Sequence, residues 1–142
     1  MLPKILVPVD GSATTRKTLE NIITLKDQFS KELTLLHVLD FEHFAYQMLE
    51  EFQIDMIKEN SKKAGMLLLE RAGDQLKRAG FVNNLRLEIG ETKQVIADIA
   101  NDEQFQLVVI GRHEGGGQIR DVLFGSVANH LLHNVKCPVL LF

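Results

Sequence analysis

Between Gly111 and Gly125 the chain places five of its ten glycines: Gly111, Gly115, Gly116, Gly117 and Gly125. The segment stands between a short apolar run, Leu107–Ile110, and a helical pattern that opens at Ser126. Glycines in such a loop let backbone N–H groups come close to an oxyanion. A helix N-terminus behind them adds partial positive charge, typically about 0.3–1 kcal/mol per anion. Gly125-Ser126 suits this chemistry. Glycine permits close approach, and the serine hydroxyl caps its helix or donates to a phosphate oxygen. The same residues also read as a flexible surface turn followed by an ordinary N-cap, and composition alone leaves both readings open. Two familiar phosphate motifs are absent. No G-x4-G-K-[ST] occurs, and the first strand-to-helix turn reads Asp10-Gly11-Ser12-Ala13 rather than G-x-G-x-x-G.

The other reactive residue types form no constellation. His130 and His133 lie three apart and share a helix side. No cysteine, aspartate or third histidine joins them at ligand spacing, so a surface pair is the expected role. His113 falls in the glycine loop, open to phosphate or to solvent, and His37 and His43 carry no motif. Cys137, the single cysteine, precedes Pro138 at the start of an apolar run and reads as a buried, inert thiol. Asp10 is a turn former in Asp-Gly or a site carboxylate. Ser12 reads as a helix cap, and no nucleophile elbow is present.

These residues must be positioned by the elements around them. The chain has 142 residues, which allows one domain at about 100–200 residues each. Hydrophobic residues make up 45% and charged residues 25%, as in folded soluble proteins. Net charge is −3 without a Lys/Arg cluster, which disfavours nucleic acid as a partner. No apolar run approaches the ~20 residues of a membrane span, and the N-terminus has no signal-peptide pattern. A cytoplasmic location is expected.

The hydrophobic period switches along the chain. Lys4–Val9 reads as a strand, Thr14–Ser30 as a helix with Leu19, Ile22, Ile23 and Phe29 on one side, and Leu33–Leu39 as a buried strand. Phe41–Tyr46 is an aromatic loop, either a cover over a bound ring or packing beneath the next helix. That helix carries Leu49, Phe52, Met56, Ala64, Leu68, Ala72, Leu76 and Ala79, with a possible bend at polar Asn60 and a stop at Gly80. Leu85–Ile89 alternates like an edge strand. Thr92 is expected to N-cap a short helix with Val95, Ile96 and Ile99. Leu107–Ile110 is a strand, Ser126 opens a helix with Val127, Leu131 and Val135, and Pro138–Phe142 is the last strand. Strands alternating with helices predict an α/β fold, a five-stranded parallel sheet with helices on both faces. In such sheets ligands lie beyond the strands' carboxyl ends, where strand order reverses.

The two ends of the chain resemble the universal stress protein family. KILVPVDGS at Lys4–Ser12 and GSVANHLLHNVKCPVLLF at Gly125–Phe142 carry the likeness, which spans the whole chain. The resemblance implies a Rossmann-like sheet in the order 3-2-1-4-5. ATP-binding members carry G-x2-G-x9-G-[ST] after the fourth strand. Gly115, Gly125 and Ser126 match the second half, whereas Gly111 to Gly115 is G-x3-G, with Glu114 as the extra residue. The resemblance further implies adenosine contacts from Pro8, Val9, Asp10 and Val38. Phosphate contacts would come from Gly111, Gly115, Gly125, Ser126 and Val127. Arg112, Arg120 or Mg2+ would offset the Glu114 charge.

The expected function is that of an ATP-binding regulatory protein in a stress response, with Mg2+ accompanying ATP. No general base for hydrolysis is identifiable, so any ATPase activity should be weak. The alternatives are a scaffold of the same fold that holds no nucleotide, and a slow nucleotide hydrolase. The apolar strand Pro138–Phe142, at a sheet edge, is expected to pair with a second copy and form a homodimer.

Overall fold

The computed structural model describes residues 3–42, 48–112 and 125–142. His43, Phe44 and Tyr46, and His113, Glu114, Gly115, Gly116, Gly117 and Arg120, all singled out above, lie outside the described residues. The elements are β1 (Ile5–Pro8), α1 (Ala13–Thr24), β2 (Glu32–Leu39), α2 (Glu51–Arg78), β3 (Val82–Ile89), α3 (Thr92–Asp102), β4 (Leu107–Ile110), α4 (Gly125–Asn134) and β5 (Val139–Leu141). The five strands form one parallel sheet in the order β3-β2-β1-β4-β5. This is the α/β architecture and strand order expected.

Alternation along the strands builds a core on each face, since successive side chains in a strand point to opposite sides. Val7, Leu33, Leu35 and Val109 pack with Leu19 and Ile22 of α1 and with Leu69 and Leu76 of α2. Leu6, Leu36, Val38 and Val108 pack with Ile96 and Ala100 of α3 and with Leu131 of α4. Leu6, Val7, Leu35, Leu36 and Val108 have no exposed surface. Each such side chain contributes roughly 1.5–3 kcal/mol by leaving water.

Several boundaries differ from the sequence expectation. Helix α1 stops at Thr24 instead of Ser30. Leu25 leaves helical geometry, a single 3-10 turn follows at Lys26–Gln28, and Phe29 is extended. Phe29 instead packs its ring 6.3 Å from that of Phe142. Helix α2 runs unbroken through Asn60, and its buried residues begin only at Gly65. Phe52 and Met56 are 64% and 59% exposed, so the polar residue interrupts no buried stripe. Strand β3 starts at Val82, three residues earlier than its apolar alternation suggests. Asn83 and Asn84 hid it, and both are satisfied by side-chain bonds: Asn83 Nδ2 donates to Gly73 O at 2.9 Å, and Asn84 Nδ2 to Glu32 Oε1 at 3.3 Å. Thr92 is not an N-cap. Glu91 occupies that position and its C=O accepts Val95 N–H at 2.9 Å, which puts Thr92 inside the first turn. Helix α4 likewise begins at Gly125, one residue before Ser126.

Candidate functional site

Strand β1 is flanked by β2 on one side and β4 on the other, so the chain leaves it at the point where connections diverge. Beyond the carboxyl ends of these three strands lies a cavity of about 600 Å³. That falls within the size range of small-molecule and cofactor sites, about 300–1,000 Å³. Strand ends contribute Pro8, Val9, Asp10, His37, Val38, Ile110 and Gly111 to its wall; Thr14, Thr15, Thr92, Gly125, Ser126 and Val127 come from the first turns of α1, α3 and α4. Three helix N-termini thus open onto one cavity, each contributing partial positive charge. No Lys or Arg lines it among the described residues, and Asp10 is its one acidic lining residue among them.

Asp10 is held by the turn that follows it. Its Oδ1 accepts the Ser12 backbone N–H at 2.8 Å, the Thr15 hydroxyl at 2.8 Å, and the Ser12 hydroxyl. Ser12 in turn N-caps α1, its Oγ accepting Thr15 N–H at 3.4 Å. Burial pushes the Asp10 carboxyl up. The Ser12 and Thr15 hydrogen bonds and the nearby His37 outweigh that push and hold the carboxyl below the usual aspartate range. Asp10 therefore stays ionised at neutral pH. Its Oδ2 has no hydrogen-bond donor among the described residues, which suits a ligand hydroxyl.

The opposite wall is made by the ends of β4 and α4. Gly111 sits where no side chain fits: an added Cβ would overlap Thr18 Oγ1 and come 2.6 Å from Thr14 Cγ2. Gly125 has φ +75°, a left-handed conformation that disfavours any residue with a Cβ. The first residue of α4 thus favours glycine. Ser126, next to it, is exposed and lines the cavity.

Eight of the ten residues assigned to the site from sequence line this one cavity: Pro8, Val9, Asp10, Val38, Gly111, Gly125, Ser126 and Val127. Arg112 does not. Its backbone N–H and its Nε–H both donate to Phe142 O, at 2.8 and 3.3 Å, which ties it to the end of β5. Gly115 lies outside the described residues. Sequence reasoning missed Thr14, Thr15, Thr92 and His37. The signal for His37 was present: it is the one ionisable side chain in the Leu33–Leu39 run. The described residues hold no group of three or more His, Cys, Asp or Glu that would take a metal ion, and His130 pairs with Asn134. A Mg2+ would have to be held chiefly by ligand phosphates and water, with Asp10 the one lining carboxylate among the described residues. Among the described residues no helix is long and apolar enough to cross a membrane.

The family model described as "Universal stress protein family" matches residues 1–142. The Bacillus subtilis universal stress protein YxiE is 28% identical over 149 residues, covering 99% of each chain. The solved structure of MJ0577, from Methanocaldococcus jannaschii, is 28% identical with a TM-score of 0.77, covering 99% of this chain and 95% of that one. A family member from Arabidopsis thaliana, determined with AMP bound, shares the fold with a TM-score of 0.71 at 18% identity, covering 99% of this chain and 90% of that one.

Proposed function

The chain belongs to the universal stress protein family, and from that premise we propose that it is an ATP-binding regulatory member acting in a stress response. One observation carries the reading. A single cavity joins an ionised carboxylate, whose Oδ2 has no donor among the described residues, with the carboxyl end of β2 at Val38 and three helix N-termini, one of them led by a left-handed glycine. Carboxylate and strand end match a nucleoside; helix N-termini match its phosphates. The Arabidopsis relative with AMP bound supports the same class of ligand.

In this reading Pro8, Val9, Asp10 and Val38 hold the adenosine. Gly111, Gly115, Gly125, Ser126 and Val127 hold the phosphates, with Mg2+ accompanying them. Arg112, engaged with Phe142, lends positive charge at longer range rather than a contact. The nucleotide is a regulatory ligand. The titratable groups lining the cavity among the described residues are Asp10 and His37. Asp10 is engaged through Oδ1 and has the weak basicity of a lowered carboxyl, and His37 is engaged through Nδ1. A lowered carboxyl is a weak general base, and slow hydrolysis is the expectation of this reading.

The protein acts in the cytoplasm as one domain, in a homodimer formed through Pro138–Phe142. Strand β5 is the sheet's last strand and its residues are only half-buried. Such an edge is available for antiparallel pairing about a two-fold axis.

Acid extraction of the purified protein followed by an adenine-nucleotide assay, with calorimetric titration of Mg-ATP, tests the proposal. Co-purified nucleotide or saturable heat is expected. No nucleotide, and no heat at millimolar Mg-ATP, overturns it and favours a scaffold role.

A further inference from the structure

Val9 is where the β1–β2 ladder ends. Its N–H donates to Leu36 O at 2.8 Å. In a regular parallel ladder the next bond would run from Val38 N–H to Val9 O. That bond is absent, and His37 Nδ1–H donates to Val9 O instead, at 2.9 Å. On the other side of the same peptide, Asp10 N–H donates to Thr15 Oγ1 at 2.9 Å. Both polar groups of the Val9–Asp10 peptide are thus taken by side chains, not by the sheet.

The ring is confined in this role. His37 is half-buried, and its Cδ2 edge lies against α2 at Gly65, where an added Cβ would come within 3.1 Å. A carbonyl oxygen can only accept, so this bond requires the hydrogen on Nδ1. The consequence falls on Val38. Leu36 points its peptide groups at β1 and Leu39 points its carbonyl at Gly90 on the β3 side, so Val38 faces the β1 side. With the Val9 carbonyl occupied, Val38 N–H has no partner among the described residues and lies at the cavity wall.

We propose that His37 is a positioning residue: by occupying the Val9 carbonyl it stops the β1–β2 ladder one bond early and keeps the Val38 backbone edge open to a bound base. The ligand part of this statement rests on the nucleotide-binding reading; the ladder part does not.

The test separates the two. A long-range 15N–1H spectrum of the wild-type protein at neutral pH is expected to show His37 protonated at Nδ1. Amide exchange is expected to be fast at Val38 and slow at Leu36. In His37→Leu the freed carbonyl recaptures Val38 N–H, so Val38 exchange slows by about tenfold while ATP affinity falls by about tenfold. His37→Asn, whose Nδ2 replaces the lost donor, restores both. An Nε2–H tautomer in the wild type overturns the proposal, as does Val38 exchange unchanged in His37→Leu. So does His37→Asn behaving like His37→Leu. Should His37→Leu not fold, the wild-type tautomer and His37→Asn decide. Failure of the wild type to bind ATP removes the nucleotide reading and leaves the tautomer and exchange results to judge His37.

Discussion

Thr15 bonds Asp10 twice. Its Oγ1 accepts the Asp10 backbone N–H at 2.9 Å and donates to Asp10 Oδ1 at 2.8 Å. One hydroxyl at the start of α1 thereby fixes both the peptide entering the turn and the carboxylate leaving it. Its place after the first strand and the family resemblance made Asp10 a candidate; this bond pair orients it.

Thr15→Val keeps the shape and removes both bonds. A stability loss of about 1–2 kcal/mol is expected from two hydrogen bonds in a partly solvated turn. Thr15→Ser should recover most of it. Urea midpoints of the three proteins check the series, and ATP titration should follow the same order. Equal midpoints for valine and wild type would refute the role given to the hydroxyl.

The Asp10 carboxyl has an acid-side signature. Its pKa is lowered on folding from an ordinary value of 3.8, because the bonds from Ser12 and Thr15 outweigh burial. A lowered folded pKa means the contribution is fully present above the unfolded value and is lost as pH falls through the folded one. Stability should therefore decline below about pH 4, through the window between 3.8 and the lower folded value. Asp10→Asn should flatten that part of the profile. Denaturation curves from pH 6 to pH 2 provide the measurement, and identical acid slopes in both proteins would contradict the assignment.

Gly111→Ala should cost about 1–3 kcal/mol, the range for overpacking a filled site. The new methyl meets Thr18 Oγ1 and Thr14 Cγ2. Because Thr18 is buried and its hydroxyl donates to Thr14 O at 2.9 Å, it cannot swing away freely. Thr18→Ala should relieve part of the clash, so the double mutant should be more stable than the sum of single effects predicts. Strict additivity would show that the two positions do not meet.

Gly125→Val puts a β-branched residue at φ +75°. Backbone strain of about 1–3 kcal/mol is expected at the start of α4. ATP binding should be lost while far-UV circular dichroism stays that of an α/β protein. Unchanged affinity would rule out phosphate contact at this helix start.

Deleting Glu114 converts the Gly111–Gly115 spacing to G-x2-G and removes one negative charge. ATP should bind equally well or more tightly. A large loss of affinity would mean that the longer loop is itself adapted to its ligand.

Much of the architecture is local information. Runs such as Ile5–Pro8 and Leu107–Ile110 are too short and too apolar for anything but buried strands, and the alternation of such runs with helical periods leaves few topologies. Gly125-Ser126 and Asp10 were visible for the same reason: a turn glycine, a cap and a turn aspartate act on their immediate neighbours. Boundaries were less legible where tertiary bonds override pattern. Asn83 and Asn84 look like loop residues until Gly73 and Glu32 supply their partners. Phe52 and Met56 look like core until the helix buries residues only from Gly65 onward. The site's fine structure was beyond local reading altogether. His37 and Val9 are 28 residues apart, and only the parallel register that sets Pro8 beside Leu36 brings the imidazole to that carbonyl. Residue types and short spacings dictate which elements form, because those energies act within a few residues. Which backbone groups remain unpaired at the cavity is decided by where the ladder between two distant strands stops.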